Sequence, residues 1–233
     1  MSRKLYELVG RDADRPFSPH CWKARLALKH KGLDFETVPV PFTEIPRIEG
    51  GASKIVPLLK DGERMVADSF LIAEYLEEAY PDAPTLFGGE GGRRLARFVE
   101  AWSTATIHAA LPGFVIMDIH DILAETDQAY FRQSREARMG RALEAVVEGR
   151  EARVEGFVKS LAPLRRMIEA QPFLGGESPL FADYIVFGAF QWLRVVSAFP
   201  LLPAGDPVAV WFERCLDLYE GHGRAVPAAA DAA

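Results

Sequence analysis

The segment Phe17-Ser18-Pro19-His20-Cys21-Trp22-Lys23 marks the point where a strand hands over to a helix. Ser18 suits the N-cap and Pro19 the first helical position: the hydroxyl can accept an orphan backbone N–H, and the ring pre-sets φ. A helix start directs unpaired N–H groups and a positive partial charge outward. A hydroxyl at that place can therefore meet an anion resting on the same N-terminus.

Upstream, residues 4–9 are short, mostly apolar and roughly alternating, which predicts a strand. Downstream, Trp22, Leu26, Ala27 and His30 recur at helical spacing, and Gly32 supplies the stop for a helix over 18–31. Residues 34–40 read as a second strand whose end, at Pro39, belongs at an edge. Strand, helix and strand with short links make a βαβ unit, hence a parallel pair with a right-handed crossover.

After an irregular stretch over 41–53, Asp61-Gly62 separates two apolar runs, 56–60 and 63–67, which is a hairpin signal. Pro57 cannot donate to a ladder. Its place is explained by a cis Val56–Pro57 bond that leaves the backbone of Val56 free to bind something. Asp68-Ser69 then caps a helix over 70–80, ended by Pro81. Residues 82–92 hold Pro84 and four glycines, a linker composition. Beyond them strand signals fade. Helices are expected over 93–123, kinked or divided at Pro112-Gly113, and over 127–147, 155–170, 181–198 and 206–218. The segment 181–198 is apolar on most faces and reads as the buried central helix.

The 233 residues suffice for one or two domains with a real core, and 49% hydrophobic and 26% charged content is ordinary for a globular chain. A net charge of −6 argues against nucleic acid as partner. No apolar run reaches membrane-spanning length, and the first residues lack an apolar stretch of signal-peptide length, so a cytoplasmic location is expected. Cys21 and Cys215 match no zinc spacing, and the Asp118, His120 and Asp121 group would spread around a helix, so no metal is expected.

Taken in order, Ser18-Pro19, Val56-Pro57, the run Asp68-Ser69-Phe70-Leu71-Ile72-Ala73-Glu74-Tyr75-Leu76 with Tyr80-Pro81, and Phe173-Leu174-Gly175-Gly176 with Ala182-Asp183 resemble the cytosolic glutathione transferases over residues 4–222. Within that superfamily the chain is most similar to the fungal-type class and to bacterial β-etherases acting on lignin-derived aryl ethers. The lines that carry this are 18–23, 27–32, Asp118-Ile119-His120-Asp121 and Ser134-Arg135-Glu136. The resemblance implies an α+β thioredoxin-like domain (βαβ-ββα, residues 1–81), a linker (82–92), an all-α domain forming the acceptor pocket (93–222) and a disordered tail (223–233). It also implies a homodimer.

By the same resemblance Ser18 is the catalytic hydroxyl, holding the thiol of glutathione as thiolate for attack on a hydrophobic, aromatic electrophile, with β-aryl ether cleavage among the reactions implied. Val56, flanked by Ile55 and Pro57, pairs through its backbone with the cysteinyl unit. Family members mostly carry Lys or Gln where Ile55 stands. Asp68 faces the γ-glutamyl ammonium and Ser69 its carboxylate; Arg47 and Lys54 are candidates for the glycine carboxylate. Trp22, Trp102, His108, Phe114 and Met117 are the expected walls of the acceptor pocket. Cys21, one turn inside the helix, reads as packing rather than redox, and Tyr6 as core. A central helix of this family usually opens with Ser or Thr; here Leu180 stands at the cap, with Ser178 as a substitute or a less firm start. Two other readings remain: a non-catalytic module binding glutathione or aromatic ligands, and a thiol reductase using Cys21.

Overall fold

The structure, a computed structural model, describes residues 2–231. Strand β1 (Arg3–Leu8) is followed by α1 (Pro19–His30), β2 (Glu36–Val40), a 3-10 segment (Phe42–Gly50), β3 (Leu58–Asp61), β4 (Arg64–Ala67) and α2 (Ser69–Ala79). The sheet order is β2-β1-β3-β4. β1 runs parallel to β2, with Tyr6 beside Val38, and antiparallel to β3, with Leu5 beside Leu59. The central position of β1 explains its apolar character: Leu5, Tyr6 and Leu8 are all buried. β2 is an edge, where Pro39 forfeits no inter-strand bond on its open side. The Val56–Pro57 bond is cis.

The remainder is helical: α3 (Glu90–Ser103), a π turn (Thr104–His108), α4 (Pro112–Ile122), α5 (Glu125–Met139), α6 (Leu143–Val147), α7 (Val154–Ser160), α8 (Ala162–Ala170), α9 (Phe181–Val196), α10 (Pro207–Leu216) and α11 (Leu218–Gly221). The helix over 93–123 is thus two helices, and its interruption starts at Thr104, ahead of the Pro-Gly pair. α3 begins at Glu90 within the glycine-rich stretch, because Gly88 and Gly89 take the positive φ values and complete the turn before it. Gly140, at φ 70, ends α5.

α9 is the hub. Phe181, Tyr184, Ile185, Val186, Phe187 and Ala189 are fully buried, and the helix lies directly against α1. At the crossing a side chain at position 188 would stand inside contact distance of the Pro19 carbonyl oxygen, so glycine there lets the two backbones touch. Lys23, buried in the same region, pairs with Glu100 of α3 at 3.3 Å. The start of α9 is firm without a Ser or Thr cap, and Ser178 plays no part in it. Asp183 accepts from the backbone N–H of Leu174 (2.7 Å), Gly175 (2.9 Å) and Leu180 (3.0 Å) and from the indole of Trp211 (3.1 Å). One buried carboxylate satisfies the helix entry, the preceding loop and α10 together.

The tail expected to be disordered packs as far as Val226. Gln191 and Arg194, polar residues on the second half of α9, need acceptors, and the backbone of the tail supplies them. Gln191 Nε2 donates to the Gly223 carbonyl at 2.8 Å and Arg194 Nη1 to that of Val226 at 2.7 Å, and Val226 is buried. The last two residues of that expected tail, Ala232 and Ala233, lie outside the described residues.

Candidate functional site

Between the sheet-containing half and the helices lies a cleft of about 420 Å³. Its first wall comes from the sequence around Ser18 and Val56: Phe17, Ser18, Pro19 and His20 at the start of α1, and Lys54, Ile55 and Val56 before β3. Ser18 caps α1, its oxygen accepting the Cys21 N–H at 3.3 Å. A hydroxyl that accepts one bond still carries a proton to donate, so capping and anion binding are compatible. Ser53 accepts the Ile55 N–H at 3.1 Å and donates to the Ile55 carbonyl at 2.7 Å, which shapes the approach to Val56. Ile55 itself is half exposed, at 51%.

Asp68 stands at φ 78 and ψ 130, outside the ordinary range for an L residue. Its Oδ1 takes both cap bonds, from Phe70 N at 2.9 Å and Leu71 N at 3.1 Å. A strained residue held at a helix start is a feature that clusters at ligand clamps. Beside it Ser69 is buried, and its Oγ has no partner among the described residues. A buried hydroxyl without a partner is costly unless something arrives to bind it.

The second wall is helical. On α4 the stripe Pro112, Ile116 and Ile119 faces the cleft at i, i+4 and i+7. Phe114, two residues from that stripe's members, points the other way; its ring meets Phe157 at 5.6 Å and Phe199 at 5.9 Å in the core. Met117 is one residue off the stripe and packs on the core edge. Trp22 is also core: its indole donates to the Pro16 carbonyl at 2.9 Å and lies edge-on to Phe187 of α9. Trp102 stands six positions before His108 and so faces a different side. It lines a larger apolar groove of about 650 Å³ with Leu95, Phe98 and Met167. That groove presents no titratable or nucleophilic side chain, whereas the smaller cleft does, which makes the smaller cleft the candidate site. Of the five expected acceptor-wall residues, only His108 reaches it. Arg47 is solvent-exposed and paired with Glu44 at 2.6 Å, whereas Lys54 lines the cleft.

The sequence reading missed His20, Trp192, Tyr130, Phe42, Arg135 and Arg138, all on the cleft. His20 and His108 stack across it, ring centroids 5.5 Å apart and planes 14° from parallel. The π turn brings His108 there, a recurrent role for such turns. His108 Nδ1 lies 3.2 Å from both the carbonyl and the hydroxyl oxygen of Ser103, which anchor the ring. The surrounding protein and Lys23 hold His108 down to about 4. The same crowding, with Lys23 and His108, holds His20 below its ordinary value, although its ring is open to solvent in the cleft. Both imidazoles are neutral at pH 7.

Cys21 is buried, and that burial, with Glu7 nearby, pushes its thiol up to about 12. A thiol so placed does not ionise near neutrality, which removes the reductase reading. Among the described residues no group of three His, Cys, Asp or Glu side chains is arranged to hold a metal. His120 is hydrogen-bonded to Asp121 at 2.9 Å, and Asp118 to Arg150 and Ser197.

Known families match both halves. The model described as "Glutathione S-transferase, N-terminal domain" covers residues 13–84, and "Glutathione S-transferase, C-terminal domain" covers 95–200. A zeta-class glutathione S-transferase of Euphorbia esula is 44% identical over 70 residues, 28% of this chain and 31% of that protein, so the match spans about a third of the relative. A glutathione S-transferase-like protein of Aspergillus flavus is 24% identical over 208 residues, 76% of this chain and 74% of its own. Among solved structures, glutathione transferase GSTFuA3 of Phanerochaete chrysosporium superposes with a TM-score of 0.75 at 27% identity, covering 97% of this chain and 94% of that one. A Ceriporiopsis subvermispora glutathione S-transferase, solved in complex with glutathione, has a TM-score of 0.75 at 23% identity, covering 97% and 95%.

Proposed function

The chain belongs to the glutathione S-transferase family, and from that premise we propose that it is a transferase of the serine type acting on aromatic electrophiles. The observation that carries this reading is the convergence of Ser18, the start of α1 and the Val56 backbone on one cleft with an aromatic far wall.

Glutathione lies with its cysteinyl unit along Val56, as an added strand would. The γ-glutamyl carboxylate meets Ser69 and the start of α2. Its ammonium faces Asp68, whose Oδ2 is left over by the cap bonds. Lys54, two residues before Val56 and on the cleft, serves the glycine carboxylate. The thiol, with an ordinary pKa of about 8.5, reaches the start of α1. There the Ser18 hydroxyl donates to it, and the helix N-terminus favours the anion. Ser18 keeps its own proton; the thiol proton goes to solvent. The thiolate attacks an electrophilic carbon held against Ile116, Trp192 and His108. In a β-aryl ether that carbon bears an aryloxide: a C–S bond forms, the C–O bond breaks, and the aryloxide leaves and takes up a proton. A homodimer belongs to the same proposal, checked by sedimentation equilibrium.

The test is the ultraviolet absorbance of the thiolate in the glutathione complex, titrated for the wild type and Ser18→Ala. The wild type should show a depressed thiol pKa. Ser18→Ala should return it toward about 8.5 and lower kcat/KM by about a hundredfold, as loss of one donor to a reacting anion does. An unchanged titration in Ser18→Ala would remove the assigned role. Calorimetry with glutathione separates this reading from a binding module that takes aromatic ligands alone.

A further inference from the structure

Helix α5 sends Asp127, Phe131 and Arg135 toward the sheet-containing half at i, i+4 and i+8, one stripe of the helix. The first two members are matched. Asp127 accepts from the Phe42 and Thr43 N–H groups at 2.7 and 3.0 Å and from the Thr43 hydroxyl at 2.7 Å. The Phe131 ring meets Phe42 at 5.6 Å. The third is not matched. The Arg135 guanidinium lies over the rings of Phe131 and Phe42, at 4.7 and 5.1 Å, and donates to the Ser134 hydroxyl at 2.9 Å.

Among the described residues Arg135 has no carboxylate at ion-pair distance. Three acids of the two facing elements are engaged elsewhere, Glu136 by Arg132 at 2.9 Å, Glu44 by Arg47 at 2.6 Å and Glu49 by Lys60 at 2.7 Å. Arg138 lines the same cleft and likewise lacks an acid partner among the described residues. Two cations therefore share one wall of the cleft with no acid partner among the described residues. Burial, then the charge of Arg138, lower the Arg135 value, against an opposing contribution from the neighbouring Tyr130. A guanidinium beside aromatic rings still carries N–H donors, and its planar fork matches a carboxylate with two parallel bonds.

We propose that Arg135, assisted by Arg138, binds a carboxylate on the acceptor, so that the preferred electrophiles are aromatic carboxylates. This rests on reading the cleft as the acceptor site. The ring would occupy the apolar part near Ile116 and Trp192, and the anion the end nearest α5. One other carboxylate in the complex could meet the same fork, that of the glycine unit of glutathione, and the test separates the two.

Calorimetric titrations of wild type, Arg135→Gln and Arg135→Lys use three ligands: glutathione, S-benzylglutathione and S-(4-carboxybenzyl)glutathione. The wild type should bind the carboxybenzyl conjugate at least tenfold more tightly than the benzyl one. Arg135→Gln should abolish that preference and leave the other two ligands within twofold. Arg135→Lys, which keeps the charge but not the fork, should retain part of it. Equal wild-type affinities for the two conjugates would overturn the proposal. So would a tenfold loss for glutathione itself in Arg135→Gln, because the guanidinium would then serve the tripeptide. An equal loss for both conjugates would do the same. The thioethers carry no thiol, so their behaviour is independent of what Ser18 does, and the thiolate titration is independent of Arg135.

Discussion

In the proposed glutathione site, the groups assigned on the sheet side are helix starts and backbone: the N-termini of α1 and α2, the Ser18 and Asp68 caps, and the chain at Val56. On the helical side they are side chains from three separate elements, His108 on the π turn, Arg135 on α5 and Trp192 on α9. The first wall is made of local structure and depends little on which apolar residue fills each neighbouring position. The second depends on the angle at which each helix is docked, so a residue's neighbours in sequence say little about what it faces. The teaching is that the same cleft has one wall encoded within short stretches and another encoded by packing.

The largest test of that division is at the hub. Asp183→Ala should leave four donors without their acceptor, two of them fully inside the loop before α9 and one an indole, and cost about 4 kcal/mol of stability. Chemical denaturation measures it. A loss under about 1 kcal/mol would show that the start of α9 is held by other contacts.

Gly188→Ala joins the two walls directly. The added methyl meets the Pro19 carbonyl, so α1 or α9 must shift, at about 3 kcal/mol. Because Pro19 adjoins Ser18, the thiol pKa of bound glutathione should rise in this variant, although no ligand-facing residue has changed. A destabilised protein with an unaltered thiol pKa would mean that the first wall is independent of the second.

Asp127→Ala removes three bonds from the segment Phe42–Gly50, at about 2 kcal/mol. Hydrogen exchange should accelerate at Phe42 and Thr43 and stay unchanged in β3. Fast exchange spreading into the sheet would show that the clamp supports more than this edge of the cleft.

The smallest effect is a slope. His108 is held down to about 4 in the folded protein against 6.5 ordinarily. As pH falls, the unfolded chain takes up that proton first, so stability is full above about 6.5 and declines toward about 4. His20, stacked on it, and Lys23, whose charge opposes protonation, act in the same sense. His108→Gln should make the decline shallower. An unchanged slope between pH 6.5 and 4 would place the acid sensitivity elsewhere.

Legibility followed the same division. Ser18 was found because a cap hydroxyl followed by proline declares itself in two letters, and Val56-Pro57 because a proline opening a strand demands a reason. Of the expected acceptor residues, Trp22, Trp102, Phe114 and Met117 are large side chains near the right helices, and each turns to core or to the other groove. Arg135 was visible four residues beyond Phe131 and eight beyond Asp127, which shows a shared stripe but not what that stripe meets. The packed tail was obscured by its alanine-rich composition, since its anchors, Gln191 and Arg194, lie more than thirty residues away.

From its amino-acid order alone, then, the chain specified its strands, its helix starts, its cis-proline corner and the family they resemble, because capping, turn geometry and hydrophobic period act over a few neighbouring residues. Which side chains share the cleft, where the carboxylate of Asp183 finds its four donors, and why two arginines stand together on one wall were decided only when α1, α4, α5 and α9 packed. Those contacts join residues tens of positions apart, and their geometry is set by the close approach of whole helices, as at Gly188, rather than by any local preference.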